Sequence, residues 1–223
     1  MKKAIVLLSG GLDSATTLFY AKKKGFTPYC LIFDYGQRHR KEVQRAQRIA
    51  RRARCRFRLI KISLPWQGSS LLDRKTRLPQ HKRVDPNEIP STYVPARNII
   101  FLSFAVSFAE AVGARAVFIG ANAVDYSGYP DCRPEFFEAY RKMLAKGSKT
   151  GVEGKAVQIH APLVHKTKAQ IIKLGLKLKV PYHLTWSCYQ GGRRPCGRCD
   201  SCLLRKKGFE TVNVEDPSWT KRR

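Results

Sequence analysis

One short stretch near the N-terminus constrains the fold of this chain more than any other feature. Residues 4–8 form a continuous apolar run, which is typical of a strand buried on both faces of a parallel sheet. The string Ser-Gly-Gly-Leu-Asp-Ser follows at residues 9–14, and residues 15–24 then have the pattern of a helix that ends before Gly25. The chain therefore begins as a strand–loop–helix unit with a glycine-rich loop after its first strand.

The same alternation of strand and helix continues through most of the 223 residues. Apolar and amphipathic patterns predict further strands at residues 28–34, 57–64, 115–120 and 157–160, and helices at residues 37–53, 96–112, 134–146 and 167–177. Thr167 is the expected N-cap of the last of these helices. This order predicts an α/β fold, a doubly wound and mostly parallel sheet. Residues 65–95 fall outside the alternation, and a polar, proline-rich stretch of that length is usually a lid or a mobile loop.

The loop at residues 9–14 has the composition of an anion site. Backbone N–H groups and the helix dipole converge on an anion where a strand leads into a helix, and glycines let a phosphate come close to the backbone. Ser9 and Ser14 add hydroxyl donors. Asp13 would repel a bare phosphate, so its presence predicts a bridging Mg²⁺. The string is neither the Walker pattern nor the dinucleotide-binding pattern.

Four of the seven cysteines lie within fifteen residues near the C-terminus, at Cys188, Cys196, Cys199 and Cys202. Zn²⁺ takes four thiolates tetrahedrally, and such a site without an open position is structural. An iron–sulfur cluster is the competing interpretation, but the bacterial ferredoxin run would need a further cysteine near Lys206. Disulfides would need an oxidising compartment.

Charge and hydropathy limit the class of protein. Lys and Arg total 43 against 16 Asp and Glu, which gives a net charge of +27. That excess fits a surface that binds nucleic acid, a site that attracts anionic substrates or a solvated basic surface. A surface rich in ion pairs is a weaker interpretation, because the 16 acidic residues are too few to pair with most of the cations. No apolar run is long enough for a membrane span, and residues 4–8 are too short for the core of a signal peptide. We therefore expect a soluble, cytoplasmic protein.

The complete string at residues 9–14 resembles the pyrophosphate loop of the N-type ATP pyrophosphatases. These enzymes cleave ATP to AMP and pyrophosphate and so activate a carboxylate, amide or carbonyl oxygen. The resemblance implies an adenine-nucleotide α-hydrolase-like fold with ATP and Mg²⁺ as cofactors. It places the nucleotide on a set of consecutive residues, namely Leu8, Ser9, Gly10, Gly11, Leu12, Asp13, Ser14, Ala15, Thr16, Thr17 and Leu18.

The cysteine segment, from residue 187 to residue 209, resembles the C-terminal zinc motif of the 7-cyano-7-deazaguanine synthase family. Stretches at residues 34–39, 94–98 and 122–136 match the same family. The resemblance implies that 7-carboxy-7-deazaguanine, ammonia and ATP are converted through an adenylated intermediate and an amide to the nitrile, a precursor of queuosine and archaeosine. It implies one structural Zn²⁺ per chain. Because no glutaminase domain is evident in 223 residues, free ammonia is the expected nitrogen source.

The resemblance also assigns roles to single residues. Asp13 and Arg97 are the expected catalytic residues, and Arg97 begins an apolar helix, where an Arg can meet an anion. Asn98, Asp125 and Asp131 are the expected substrate residues, since a carboxylate can accept the N–H donors of a guanine-like base. Capping of a Gly- and Pro-rich loop is the other interpretation of the two aspartates.

Residues 1–185 are then predicted to form a nucleotide-binding α/β domain with a loop or lid insertion at about 65–95, and residues 186–223 a zinc-binding C-terminal segment. We expect a small-molecule substrate and neither nucleic acid nor membrane as partner, and the oligomeric state stays open, with a homodimer considered. Two other functions remain in competition. One is a tRNA-modifying enzyme of the thiolase type with the same loop, and the other is a non-enzymatic, basic zinc-ribbon protein that binds RNA.

Overall fold

A parallel sheet of five strands lies at the centre of the part of the chain that the structure, a computed structural model, describes: residues 2–66, 68–73, 75–78, 89–124 and 128–219. The strands are β1 (Lys2–Leu7), β2 (Phe26–Asp34), β3 (Arg56–Lys61), β4 (Ala116–Phe118) and β5 (Gln158–His160). Their order in the sheet is β3-β2-β1-β4-β5, and every neighbouring pair is parallel. Because the order reverses beside β1, the loop that follows β1 lies at the switch point where open α/β sheets bind ligands.

Helices cover both faces of this sheet, as predicted for a doubly wound fold. They are α1 (Leu12–Lys23), α2 (Lys41–Arg52), α3 (Arg97–Val112), α4 (Pro134–Gly147), α5 (Lys149–Val152), α6 (Lys168–Lys177) and α7 (Asp200–Thr211). One core packs α1, α2 and α6 on the first face, and a second core packs α3 and α4 on the other. None of the helices in the described ranges is both long and apolar enough to cross a bilayer.

Most element boundaries agree with the sequence patterns, and the differences have local causes. The first helix begins at Leu12 instead of residue 15, so Asp13 and Ser14 lie in its first turn. Helix α3 begins at Arg97 because Ala96 has a left-handed backbone (φ 53°), which an α-helix does not continue through. Thr167 is the N-cap of α6, as predicted, and forms a capping box with Gln170.

Helix α7 was not predicted from the sequence. Its cysteine-rich start hides the helical pattern, but its end packs on the α/β domain, where Phe209 is buried in the first core beside Tyr182. Gly208 faces α6 so closely that a Cβ there would lie 2.7 Å from the Lys168 side chain. The C-terminal segment is therefore joined to the α/β domain by a packed helix.

The described residues of the 65–95 stretch contain no helix or strand, in agreement with a loop. Several of them are nevertheless packed: Leu71, Thr92 and Val94 are buried. Arg38 donates a hydrogen bond to the Ser70 carbonyl oxygen (2.6 Å) and so ties the stretch to the segment that follows β2. Its role as a lid stays a prediction.

Candidate active site

A cavity of about 310 Å³ opens at the carboxyl ends of β1, β2 and β4. Leu8, Ser9, Gly11, Leu12, Asp13 and Ser14 line it, as do Arg97 and Asn98. Four of the residues predicted to bind the nucleotide lie deeper in α1 and do not line the cavity. All four are buried: Ala15, Thr16, Thr17 and Leu18. The structure therefore brings the phosphate loop and the start of α3 to one site.

The phosphate loop, residues 9–14, is held by its own serines. The Ser9 amide and hydroxyl both donate to the Ser14 hydroxyl oxygen (3.2 and 3.0 Å), and the Gly11 amide donates to the Ser9 hydroxyl (3.3 Å). Gly10 has φ 89°, and a Cβ there would collide with the carbonyl oxygen of Glu42 in α2. Only glycine fits this position, because the backbone is left-handed and α2 packs directly against the loop.

Asp13 forms an ion pair with another residue of the cavity lining. The ammonium of Lys168, at the start of α6, donates to both carboxylate oxygens at 2.9 and 2.8 Å. Both side chains are mostly buried, with 15% of Lys168 and 27% of Asp13 exposed. From its place before a predicted helix, Lys168 could face the triphosphate, but a solvated surface charge is the interpretation that the sequence favours.

Arg97 lies in the cavity wall opposite the loop. It donates to the Tyr35 hydroxyl (3.2 Å), and its guanidinium lies 5.9 Å from the centre of the Tyr35 ring. Burial alone would lower the pKa of Arg97, but the nearby Tyr35, Tyr129 and Asp131 raise it, so the side chain stays a cation. A partly buried cation in the same cavity as a phosphate loop is suited to bind a carboxylate.

The structure places the three predicted substrate residues differently. Asn98 lines the cavity, while Asp131 is buried beneath it and accepts hydrogen bonds from the Asn98 backbone amide (3.0 Å) and side-chain amide (3.2 Å). Asp131 thus caps α3 and orients Asn98, and its pKa is raised by burial. Asp125 lies outside the described residues.

Cys132 also lines the cavity and was the one cysteine available for thiolase chemistry. Burial and the Asp131 carboxylate raise the pKa of its thiol to about 12. The thiol also accepts a hydrogen bond from the Asn98 amide (3.2 Å). Because the thiolate is the nucleophile, this environment disfavours a catalytic role for Cys132.

The four clustered cysteines form a group that could hold a metal ion. Their Sγ atoms all lie within 4.8 Å of one another, close to the spacing that four ligands about 2.3 Å from a Zn²⁺ would have. Backbone amides of Cys196 and Gln190 donate to the Cys188 sulfur (3.3 and 3.4 Å), which favours a thiolate there. The donor set therefore fits a closed, four-thiolate metal site.

Trp186, the residue before the cysteine segment, connects that segment to the phosphate loop by hydrogen bonds. The Trp186 amide donates to the Gly10 carbonyl oxygen (2.9 Å), and its indole N–H donates to the Cys188 carbonyl oxygen (2.7 Å). The Lys41 ammonium lies 3.8 Å from the centre of the indole ring. The contacts of Trp186 with Gly10 and Lys41 join residues far apart in the chain, so no local pattern could have predicted them.

Two further residues line the cavity, namely His39, which precedes α2, and Glu42 in the first turn of α2. The His39 Nε2 lies 3.1 Å from the Cys188 carbonyl oxygen, and burial lowers the pKa of this imidazole. Burial raises the pKa of Glu42 to about 7, although the charge of Arg97 opposes the shift. His39 falls within a family-like stretch but was left without a role, and Glu42 was not singled out.

The far wall of the cavity is closed by Arg205 of α7. Its guanidinium is buried and donates to both carboxylate oxygens of Asp216 (2.7 and 2.9 Å) and to the Thr185 hydroxyl (2.8 Å). A fully paired cation of this kind fixes the end of the chain against the α/β domain. It is another contact between distant residues that the sequence did not predict.

Comparison with known protein families shows which family the chain belongs to. The family described as "Queuosine biosynthesis protein QueC" matches residues 3–213, which include the loop, the cavity wall and all four clustered cysteines. The chain belongs to the QueC family. The predicted family resemblance is therefore confirmed, and the chain is an enzyme of a family in queuosine biosynthesis.

Curated relatives agree with the family match over nearly the whole chain. A 7-cyano-7-deazaguanine synthase from Thermoplasma acidophilum is 51% identical over 217 residues, covering 97% of this chain and 91% of the relative. One from Acetivibrio thermocellus is 52% identical, covering 97% and 96%. Among solved structures, an NMN synthetase from Francisella tularensis matches 96% of this chain and 78% of that one with a TM-score of 0.50 at 16% identity. That likeness shows the fold alone and confirms the predicted fold class.

Proposed function

We propose that this protein uses ATP to convert 7-carboxy-7-deazaguanine and ammonia into 7-cyano-7-deazaguanine. The observation that carries the proposal is the pairing, in one cavity, of a phosphate loop with the partly buried cation Arg97. Joining a carboxylate to the α-phosphate of ATP needs both features, because two anions must be brought together. The names of the QueC-family relatives support the identity of the substrate.

The proposed reaction has two activations. In the first, a carboxylate oxygen attacks the α-phosphorus, the bond to pyrophosphate breaks and an acyl-adenylate forms. Ammonia then attacks the acyl carbon, the bond to AMP breaks, and the amide forms as AMP and one proton leave. In the second, the amide oxygen attacks the α-phosphorus of a further ATP, and pyrophosphate and one proton leave. The bond from carbon to the adenylated oxygen then breaks, so that AMP and a second proton leave and the nitrile forms.

Residues at the loop end of the cavity would stabilise the leaving pyrophosphate. The backbone amides at the start of α1 are fixed in advance by the serine hydrogen bonds and face a charge that grows during the step. Mg²⁺ held by Asp13 would offset that charge when it is bound. Lys168, which pairs with Asp13, keeps a second cation at the same place.

Residues at the opposite wall would hold the deazaguanine. Arg97 binds the substrate carboxylate, and Asn98 contacts the base from the first turn of α3. Asp131 acts through Asn98, since its carboxylate accepts the Asn98 hydrogen bonds. Asp125 remains the proposed acceptor for the N–H groups of the base.

The cysteine cluster is proposed to hold one Zn²⁺ per chain. Four thiolates leave no open position, so the metal would supply folding energy and take no part in the reaction. Reduced cysteines persist in a reducing compartment, which supports a cytoplasmic location.

A homodimer is the proposed working form. The outer face of α3 exposes Ile99, Phe104 and uncharged small residues, although the chain carries a net charge of +27. Two such basic chains would approach with least repulsion through a face that carries no Lys or Arg at its exposed positions. Light scattering at two salt concentrations tests this proposal.

Incubation with ATP, ammonium and 7-carboxy-7-deazaguanine, followed by mass spectrometry, tests the function. We expect the amide first and the nitrile later. Free ammonia as nitrogen donor predicts that glutamine does not replace ammonium. Because the substrate is a free base, we propose that nucleic acid is not a partner, so added tRNA should leave the rate unchanged. Tight tRNA binding with a steep salt dependence would contradict that point.

A further inference from the structure

The C-terminal strap, residues 212–219, leaves the end of α7 along a path that backbone hydrogen bonds fix. Helix α7 ends at Thr211, and Asn213 has a left-handed backbone (φ 54°), through which an α-helix does not continue. The Val214 amide then donates to the Phe209 carbonyl oxygen (3.2 Å). The start of the strap is therefore held on the last turn of the helix.

Asp216 anchors the middle of the strap. Its carboxylate pairs with the buried Arg205 of α7 and also accepts a hydrogen bond from the Ser218 amide (2.9 Å). The Asp216 carbonyl oxygen accepts a hydrogen bond from the Trp219 amide (3.1 Å). These bonds close a tight turn, so the position of Trp219 follows from the anchoring of Asp216.

This anchoring places the Trp219 indole against the cysteine cluster. Gly197 lies within the turn from Cys196 to Cys199, and a Cβ at Gly197 would come within 3.3 Å of the Trp219 ring. Gly197 also has φ 74°, a backbone conformation that favours glycine. Because Trp219 is 40% exposed, one part of its side chain covers the turn and another part meets solvent.

The turn under Trp219 contains the most exposed of the four clustered cysteines. Cys196 is half-buried, whereas Cys188, Cys199 and Cys202 are buried. The backbone amides of Arg198 and Cys199 each donate to the Cys196 sulfur at 3.4 Å, so the shape of the turn holds this sulfur in place. Opening of the turn would therefore free Cys196 before the other three cysteines.

We infer that the C-terminal strap closes the proposed metal site, with Trp219 holding the Cys196 turn shut and so slowing loss of the metal ion. This inference rests on the proposed metal site and is independent of the proposed reaction. A chelator removes a metal ion from four thiolates stepwise: one metal–sulfur bond breaks, the freed thiolate takes a proton from water, and an atom of the chelator binds in its place. The first step needs local opening of the turn, and opening loses the packing of the indole on Gly197.

Substitution of Trp219 tests the closure. Trp219→Ala removes the ring, and Trp219→Phe keeps a smaller aromatic ring. Trp66→Ala removes the other exposed tryptophan, which is 48% exposed, and is the matched control. Two rates are measured on the zinc-loaded proteins: transfer of zinc to an excess of a chromogenic chelator, and alkylation of individual cysteines by iodoacetamide, located by mass spectrometry. Cys55, half-buried and outside the cluster, is the internal reference.

The two rates should change together. We expect Trp219→Ala to release zinc about tenfold faster than wild type, which corresponds to about 1.4 kcal/mol less free energy for local opening. Alkylation of Cys196 should rise in the same proportion, while that of Cys55 stays unchanged. Trp219→Phe should lie between Trp219→Ala and wild type, and Trp66→Ala should match wild type.

Two results would overturn the inference: wild-type rates of zinc release and Cys196 alkylation in Trp219→Ala, or an equal rise of alkylation at Cys55 and Cys196, which would show that the whole protein is loosened. If Trp219→Ala does not fold, Trp219→Phe decides by the same two rates, and wild-type values there would contradict the closure. A wild-type protein without zinc in metal analysis would refute the proposed metal site and the closure with it. Failure to form the nitrile would refute only the proposed reaction.

Discussion

The phosphate loop and the cysteine segment meet at the hydrogen bond between Trp186 and Gly10, yet they are held in shape by different means. The loop is fixed by bonds among its own serines and by the strand and helix that flank it. Residues 187–199 contain no helix or strand. The buried cluster in this part of the chain consists of Trp186, Cys188, Cys199 and Cys202. The phosphate-loop wall of the site is therefore held by the fold itself, whereas the wall formed by the cysteine segment depends on four thiolates and the metal that they could hold.

Removing one thiolate should have the largest effect. Cys199→Ser leaves three ligands and should lose the metal together with most of the soluble fold, since structural zinc contributes roughly 10 kcal/mol or more to small metal sites. Metal analysis and circular dichroism measure both. Cys55→Ser, a cysteine outside the cluster, should keep the metal. A folded, metal-free and active Cys199→Ser protein would refute the structural role.

Breaking the buried pair of Arg205 and Asp216 tests whether the fold alone can hold the C-terminal segment. Asp216→Asn leaves the Arg205 charge without its partner and should destabilise the protein by about 3 kcal/mol. Denaturant unfolding measures the change. Glu210→Gln breaks an exposed pair with Lys206 and should cost less than about 0.5 kcal/mol. Equal effects of the two variants would show that Arg205 does not anchor the segment.

Changing the loop should affect the reaction and spare the fold. Asp13→Asn keeps the shape but removes the charge that faces Lys168, so turnover should fall by roughly 10²-fold or more. The Tm should fall less than in Asp216→Asn, because the side chains of Asp13 and Lys168 are 27% and 15% exposed, whereas those of Asp216 and Arg205 are 6% and 5% exposed. Glu138→Gln, an exposed residue of α4, is the control for removal of a carboxylate. Near-normal turnover in Asp13→Asn would contradict the proposal that Asp13 holds Mg²⁺.

The most gradual effect concerns Glu42, which lines the cavity and whose backbone packs against the phosphate loop at Gly10. Because burial raises its pKa to about 7, the folded protein keeps a proton that the unfolded chain releases between about pH 4.5 and 7. Stability should therefore fall as the pH rises through that window, by at most about 1.4 kcal/mol per pH unit, and level off above it. Glu42→Gln should lose this slope. Identical pH dependence in the two proteins would mean that Glu42 titrates as an exposed carboxyl.

The same difference between local and long-range contacts explains how much of the fold and of the site could be predicted from the sequence. The strands, most of the helices, the phosphate loop and the four cysteines are local patterns: a run, a string or a spacing within a few residues. The capping of α6 by Thr167 is of this kind. Such features follow from backbone preferences and could be located without a structure.

The rest of the site is assembled from residues far apart in the chain. Lys168 meets Asp13 across 155 positions, and His39 meets Cys188 across 149. Asp131 was predicted to contact the substrate, but its carboxylate is occupied by Asn98, a contact that depends on how α3 packs on the following 3₁₀ turn (Pro130–Cys132). Helix α7 was missed because its first turn has the composition of a metal site.

The most direct test of the central claim is to follow ATP labelled in the α-phosphate during a single turnover with 7-carboxy-7-deazaguanine and ammonium. The cavity is lined by the phosphate loop and by Arg97, which we propose binds the substrate carboxylate, so the label should appear in AMP at the rate at which the amide forms. Label in ADP alone, with phosphate as the other product, would contradict the account, because the carboxylate would then be activated by phosphorylation.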